Sequence, residues 1–473
     1  MTIQAVDDMA SVQAPIAEQI ARARAAMATL KGASQARIDE AVTAIAWAIY
    51  KPEHARELAE LAVEDTGLGN VPDKITKNTR KTFGALRDLL RAKTVGIIDE
   101  DPAKGLVKYA KPAGVVAAIC PSTNPAATPA NKAMLAMKGG NAVIVAPSPA
   151  GYVTTARFVE LARAELAKAG FEPDLVQVLI APVTKDATQG LMNQADLVVV
   201  TGSQNNVRRA YSSGTPAIGV GAGNVPVIVD ETADLDDAAG KIAASKIFDN
   251  ATSCSSENSV ILLDAIYDDA IAALGRAGGY LATAEERERV LETLWQGGKL
   301  NRHIIARDMP VLAEAFGLGG EAASAKFVMV EETGIGDAYP LSGEKLSLVL
   351  TVYRARDFEH ARQLVHDILA HEGMGHSCGI HTNRPERARE LAETLDVVRV
   401  LVNQAHTFGN GGSFDNGLPF TLSMGCGTWA GNSITENLNY KHFINITHLV
   451  TTIPEDRPSE EALFGAYWEK YGR

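Results

Sequence analysis

Cys254 lies in the stretch Phe248-Asp-Asn-Ala-Thr-Ser-Cys-Ser-Ser-Glu-Asn258, between a helix-like run, Leu235 to Phe248, and an apolar strand-like run, Ser259 to Leu263. A turn built from small polar residues presents a thiol, whereas a packing cysteine is normally enclosed by apolar side chains. The position therefore reads as a nucleophile, the alternative being a small core filler. A nucleophile needs a partner in the reaction, and the upstream half of the chain reads as a domain that would bind one.

That upstream half begins with a helical region, from about Pro15 to Arg91, in which apolar residues recur at three- and four-residue steps (Ile16, Ile20, Ala23, Met27, then Ile38, Val42, Ile45, Ile49). It breaks at Gly32-Ala-Ser and at Lys51-Pro52, and reads as a lead-in without chemistry of its own. Residues 104–111 alternate like an edge strand, and 439–450 offer a strand to pair with it. Apolar runs at 114–120, 142–146, 175–180 and 196–200 then alternate with helix-like segments at 128–138, 152–168 and 185–193. Strands buried on both faces and joined by crossover helices predict a parallel doubly wound sheet, whose ligands lie beyond the carboxyl ends of its strands. Two of those ends are polar: Pro121-Ser-Thr-Asn-Pro125, and Thr201-Gly202-Ser203 before the helix 204–212, where main-chain amides would meet a phosphate. The G-x-G-x-x-G fingerprint is absent, and Gly219-Val-Gly-Ala-Gly223 precedes a strand (225–229) instead of following one.

Beyond Cys254 a second α/β unit is predicted, with strands at 327–330, 346–350, 377–381 and 397–402 and helices at 285–296, 358–370 and 385–395. The Gly- and Asn-rich loop from Asn403 to about 427 is costly to order, which marks it as functional or disordered. A chain of 473 residues exceeds one ordinary core, and 46% hydrophobic with 22% charged residues is a globular composition. The net charge of −12 excludes nucleic acid or anionic membrane as partners held by bulk charge. The four cysteines (Cys120, Cys254, Cys378, Cys426) lack metal-type spacing and suit a reducing cytoplasm, with all but Cys254 expected in packing roles. The N-terminal residues show no export signal, and a short targeting peptide for a protein shell is the minor alternative reading of them. No apolar run approaches the ~20 residues of a membrane span. His371, His376 and His381 recur every five residues, a spacing that does not line one helix face, so no metal is expected.

Taken together, several motifs resemble the aldehyde dehydrogenase superfamily, and its CoA-acylating branch in particular. They are Lys111-Pro-Ala-Gly-Val115, Pro121-Ser-Thr-Asn-Pro125, Tyr211 to Asn224, Phe248-Asp-Asn with Cys254, Gly343-Glu-Lys-Leu346, Gly375-His376 and Gly425-Cys-Gly-Thr-Trp429. The resemblance spans about residues 15–452. It implies an α/β fold in three parts: a Rossmann-like cofactor domain with its helical lead-in (1–103 and 112–233), an α/β catalytic domain (234–432) and a small β oligomerisation flap (104–111 and 433–455). A C-terminal tail (456–473) follows. It also implies a cytoplasmic homodimer or homotetramer.

Position by position, the resemblance implies that Cys254 is the nucleophile and Asn124 the side-chain donor of an oxyanion hole; taken alone, Asn124 reads as a helix cap. Glu344 matches the carboxylate that orients a nicotinamide ribose, with Leu346 beside it in place of an aromatic residue, though alone it reads as a solvated carboxylate. Ser122, Thr123, Pro147, Ser148, Thr201, Gly202, Ser203, Gly221 and Gly223 complete the expected cofactor contacts. Hydrolytic relatives carry a glutamate in the segment matching Ile218 to Gly223, where this chain has no ionisable group. Water, with a pKa of about 15.7, needs a base far more than a thiol of about 8.5, so acyl transfer to coenzyme A is expected. Val145-Ala-Pro-Ser-Pro149 lacks the carboxylate that would repel a 2′-phosphate, which favours NADP over NAD. The residues around Asn131-Lys-Ala-Met and the 403–417 loop are most similar to members acting on sulfoacetaldehyde. His406, Thr407, Asn410 and the amides of Gly409 to Ser413 then either cradle a sulfonate or belong to a loop that merely shapes the CoA entrance, and His376 is expected to touch substrate or CoA. Alternatives are an acylating enzyme for acetaldehyde or succinate semialdehyde, and a non-catalytic binding protein of the same fold.

Overall fold

The computed structural model describes residues 3–473, with side-chain surroundings from residue 13 onward. The reading of the N-terminal stretch as neither export signal nor shell-targeting peptide therefore falls partly outside the described residues. Among the described residues no helix is long and apolar enough to cross a membrane.

Four helices open the chain, at Ile3–Ala28, Gln35–Tyr50, Pro52–Thr66 and Val71–Leu90. Their breaks have local causes. Ser34 caps the second helix by accepting the Arg37 N–H at 3.2 Å. Pro52 opens the third at a position whose N–H has no intrahelical acceptor. Gly67, at φ 67°, ends it in the left-handed conformation.

The next five strands form an all-parallel sheet in the order Val176–Val178, Ala142–Ala146, Val115–Ile119, Leu197–Val200, Ala217–Gly219. The three central strands are buried along their whole length, as continuous apolar runs require. The edge strand Ala217–Gly219 was not anticipated, because three residues leading into glycines carry almost no periodicity.

A second parallel sheet has seven strands, ordered Gly279–Leu281, Phe327–Glu331, Val349–Ala355, Glu257–Leu263, Val225–Val229, Cys378–His381, Val400–Val402. Two expectations are corrected here. Val225–Val229 pairs with Glu257–Leu263 and Cys378–His381, so the second unit takes in a strand that lies before residue 233. A run apolar on both faces could join either sheet, and only pairing decides. The strand expected at 346–350 begins instead at Val349, because Leu346 takes φ 43° and the Lys345 N–H turns to Asn258 Oδ1 at 3.1 Å.

The third sheet is antiparallel: Gly96–Asp101, Leu106–Pro112 and Ile444–Val450, with Lys111 opposite Asn445. The two strands read from sequence do pair, while Gly96–Asp101 escaped notice. Within the expected tail, Glu460–Tyr471 is a helix, capped by Ser459 Oγ accepting the Ala462 N–H at 3.1 Å.

Candidate active site

The helix Leu235–Ile247 ends at a turn in which Asp249, Asn250 and Ala251 take φ of 49°, 53° and 59°. Left-handed backbone costs a non-glycine residue about 1–2 kcal/mol, so something must hold this turn. Asp249 does so from full burial. Its Oδ1 accepts the Asn70 N–H at 3.0 Å, and its Oδ2 accepts from Lys74 Nζ (3.1 Å), Lys77 Nζ (2.5 Å) and Thr252 Oγ1 (2.7 Å). Burial alone would raise this carboxyl, but the Lys77 and Lys74 ammonium groups override it and hold the group below its ordinary range. Burial pushes Lys74 down to about 8. At Gly69, φ 72°, a Cβ would fall 1.9 Å from Asp249 Oδ1, so the carboxylate reaches the Asn70 amide only past a glycine.

The turn delivers Cys254 to the wall of a cavity of about 400 Å³. Asn124, from the loop after Val115–Ile119, faces the same cavity. Its Oδ1 accepts from Lys77 Nζ at 2.7 Å. An ammonium has no lone pair to offer, so the carbonyl side of the amide must face it and the NH2 side is turned away. That NH2 has only a long contact, 3.4 Å, to Thr123 Oγ1. Asn124 does not cap the Ala127–Lys138 helix through its side chain, which removes the alternative reading of it. Among the described residues no acceptor takes the Cys254 N–H. Two N–H donors beside a thiol have the makings of an oxyanion hole.

Cys254 itself is half-buried. Burial pushes its thiol up to about 12, with the Glu344 carboxyl adding to the effect. Burial also pushes Glu344 up to about 8, with Glu372 the next contributor. Glu372 is spoken for by main chain, since its Oε2 accepts the Glu344 N–H at 2.7 Å.

The glycine-rich segment before Val225 lies flat against the cysteine. A Cβ on Gly223 would fall 2.1 Å from the Cys254 carbonyl oxygen, and one on Gly221 2.8 Å from Cys426 Sγ. Gly223→Ala must therefore push the Cys254 main chain aside. We expect it to lower kcat by about 10²-fold, as an ångström-scale displacement of a reacting group does. Steady-state kinetics beside a melting curve checks this, and wild-type kcat would show that the contact is not needed.

Besides Cys254 the cavity is lined by Ser122 and Thr123, by Thr201, Gly202 and Ser203, by Gly221 and Gly223, and by Glu344 and Leu346. Ser203 caps the helix Gln204–Tyr211, its Oγ accepting the Asn206 N–H at 3.4 Å. This floor of main chain at strand ends, with a carboxyl across from it, suits an extended dinucleotide. Pro147 and Ser148 sit at the end of the neighbouring strand and do not line the cavity; the Ser148 N–H is taken by Cys120 O at 3.1 Å.

Of the residues expected at the substrate, Thr407 and Gly411 line this cavity, and His376, His406 and Asn410 do not. His376 and His406 share Ser377 Oγ at 2.8 Å each, in a buried layer behind it. Burial first, and the Arg399 cation second, hold both rings neutral, His406 falling to about 3. The Asn410 amide donates to Ser255 Oγ (3.1 Å) and Met424 Sδ (3.3 Å). The expected amide nest at Gly409 to Ser413 is corrected as well: Gly411 and Gly412 turn carbonyl oxygens to Lys81 Nζ, at 3.0 and 3.3 Å. Asn410 and His406 are expected from sequence as sulfonate donors, but the loop folds inward and uses them on its buried neighbours Ser255, Met424 and Ser377.

The helical lead-in supplies what sequence reasoning missed. Lys74, Lys77 and Lys81 fall on one face of Val71–Leu90 at steps of three and four, and that face points at Asn124 and the Cys254 turn. Three lysines on one helical stripe was the available signal, since solvated lysines need no such stripe. Cys120, Cys378 and Cys426 are buried. Among the described residues no three His, Cys, Asp or Glu side chains converge as metal ligands.

Residues 3–288 match the model of the aldehyde dehydrogenase family. Sulfoacetaldehyde dehydrogenase (acylating) of Cupriavidus necator is 54% identical over 97% of this chain and 93% of its own. The protein of that name from Bilophila wadsworthia is 44% identical over 97% of this chain and 99% of its own. An acetylating aldehyde dehydrogenase from Geobacillus thermoglucosidasius superposes with a TM-score of 0.91 at 34% identity, over 95% of this chain and 99% of that one.

Proposed function

This chain belongs to the aldehyde dehydrogenase family, and from that premise we propose that it is a CoA-acylating dehydrogenase of a short anionic aldehyde, sulfoacetaldehyde being the best fit. One observation carries the acylating half of the reading. The segment packed against Cys254 is pressed so closely at Gly221 and Gly223 that neither position has room for a side chain, and no residue from Ile218 to Gly223 is ionisable.

The Cys254 thiolate attacks the aldehyde carbon and a C–S bond forms. The carbonyl oxygen takes up the negative charge, which the Cys254 N–H and the Asn124 amide receive. Lys77 holds the Asn124 oxygen, so the NH2 is aimed before substrate arrives. An oxidised nicotinamide dinucleotide, when bound, supplies the hydride acceptor; Ser122, Thr123, Thr201, Ser203 and Glu344 would hold it. Loss of hydride from the tetrahedral carbon leaves an acyl thioester on Cys254.

Release of that acyl group divides water from thiol. Glu344, which burial pushes up to about 8, is the carboxyl expected at the nicotinamide ribose, so a bound dinucleotide would engage it instead of a water at the acyl carbon. One oxygen of Glu372, Oε2, is held by the Glu344 N–H. A CoA thiol, with a pKa near that of free cysteine at about 8.5, needs far less help. Its sulfur bonds to the acyl carbon, the bond to Cys254 Sγ breaks, the proton of the CoA thiol passes to the departing Cys254 thiolate, and acyl-CoA departs.

Enzyme given sulfoacetaldehyde and NADP but no CoA should form at most one equivalent of NADPH per subunit. Rapid-quench and steady-state traces test this, and continuous production of free acid would remove the acylating assignment. NADP is favoured over NAD because Ala146-Pro147-Ser148 offers no carboxylate to repel a 2′-phosphate, and the Ser148 side chain is not consumed as a helix cap. Specificity constants for the two dinucleotides decide it. We place the protein in the cytoplasm as a homodimer or homotetramer assembled through the three-stranded sheet, whose outer strand exposes Ile446, Leu449 and Val450.

A further inference from the structure

Four cations descend the helix Val71–Leu90 toward the cavity, and they are not equivalent. Lys74 and Lys77 share the Asp249 carboxylate. Arg80 and Lys81 lie one turn on, and among the described residues neither has a carboxylate within ion-pair distance. Arg80 donates to Ser413 Oγ at 2.9 Å, and Lys81 has only the two carbonyl oxygens of Gly411 and Gly412. The Arg80 guanidinium is hemmed in by the rings of Phe408, Phe414 and Phe420, at 5.7, 5.3 and 5.9 Å from their centroids. A protein of net charge −12 has carboxylates in surplus, yet the one that acts on Arg80, the exposed Asp415, stands beyond ion-pair distance, so two cations without a paired carboxylate at a cavity wall call for a ligand that supplies it.

The place is right for substrate. Lys81 lines the main cavity together with Cys254. Arg80 and Lys81 also line a side cavity of about 30 Å³ bounded by Asn124, Ser253, Thr407 and Phe248. That space admits a compact head group and little more. It adjoins both the oxyanion donor Asn124 and Ser253, the residue before the nucleophile. In a two-carbon aldehyde the acidic group lies within about 4 Å of the reacting carbon, given bonds of about 1.5 Å.

We propose that Arg80 and Lys81 form the anion subsite for the aldehyde, gripping a sulfonate or carboxylate head while the carbonyl carbon faces Cys254. This deepens the acylating reading and rests on it for the identity of the substrate. Burial, with Arg80 and Lys77 adding to it, pushes Lys81 down to about 7. A bound anion would reverse that cost, which couples recognition to charge. Thr407 and Gly411, of the expected sulfonate set, line the same cavity, and the Thr407 hydroxyl donates to Ser245 O at 3.3 Å.

The test has two arms. The first measures kcat/KM for sulfoacetaldehyde, succinic semialdehyde and propanal in wild type, Arg80→Met and Lys81→Met, with CoA and NADP. The preference for an anionic aldehyde over propanal should fall about 30-fold or more in each variant, as loss of a charge-assisted bond implies. A larger fall for sulfoacetaldehyde assigns sulfonate, and a larger fall for the semialdehyde assigns carboxylate. A preference that stays at the wild-type value overturns the subsite. The second arm needs no turnover and no variant that folds: calorimetric titration of the wild-type protein with ethanesulfonate and with propionate. Saturable binding that competes with sulfoacetaldehyde supports the subsite, and no binding of either anion overturns it. Should the anions bind while aldehyde oxidation proves independent of CoA, the acylating reading falls and the subsite stands.

Discussion

Cys254→Ala is expected to abolish CoA-dependent NADPH formation, lowering kcat by roughly 10⁴-fold or more, the scale seen when a covalent nucleophile is removed. The alanine keeps the Cβ that packs beside Gly223 and removes only the sulfur, so the fold should survive and the melting temperature should change little. No other thiol stands ready to substitute, since Cys120, Cys378 and Cys426 are buried, and burial pushes Cys120 up to about 11 and Cys378 to about 12. The same physics sets a pH signature in the wild type. The Cys254 thiol of the ligand-free protein is pushed up to about 12, first by burial and then by Glu344. Thiolate is the reactive form, and its fraction grows as pH rises toward that value. Alkylation by iodoacetamide should accordingly quicken about tenfold per pH unit from neutrality into the alkaline range. Mass spectrometry would locate the adduct. Wild-type turnover in Cys254→Ala would end the covalent mechanism outright.

Asn124→Ala is expected to cost about 10²–10³ in kcat, the price of one oxyanion-hole donor, with a smaller change in KM. The ground-state carbonyl gains little from this amide; the alkoxide gains much more. Lys77 enters as a positioning residue, because it grips Asn124 Oδ1 at 2.7 Å while anchored to Asp249. Lys77→Met should reduce kcat by at least about tenfold, and combining it with Asn124→Ala should add little beyond the single Asn124→Ala loss. Full additivity of the two would show that Lys77 acts independently of the amide. Lys77→Met also leaves Asp249 with Lys74 alone, and breaking a buried charge network costs about 3–5 kcal/mol. Melting curves therefore belong beside the kinetics, and the non-additivity separates positioning from a general loosening, which would lower both variants alike.

Much of the architecture was legible because burial on both faces writes itself as unbroken apolar runs. Val115–Ile119, Ala142–Ala146 and Leu197–Val200 stood out for that reason, and so did the crossover helices between them. Short edge strands did not: Ala217–Gly219 is too short to set a period, and Gly96–Asp101 buries no residue. Leu346 was read into a strand because its neighbours are apolar, and its φ of 43° is a constraint set by the loop that carries Glu344. The loop from Asn403 shows the opposite error. Its polarity suggested groups waiting for a ligand, yet His406 and Asn410 are consumed by Ser377, Ser255 and Met424 once the loop packs.

From the sequence alone came the candidate nucleophile, its polar turn, the absence of an ionisable residue in the 218–223 segment and the polar sheet ends proposed for a dinucleotide, because each is written in a few adjacent residues. Tertiary structure decided which sheet Val225–Val229 joins, and that Lys77 meets Asn124 and Asp249 across 47 and 172 positions of chain. It also left Arg80 and Lys81 without carboxylates at the cavity wall. Charge pairing and desolvation depend on distance in space, and local order in the chain carries no record of which distant group will close on which.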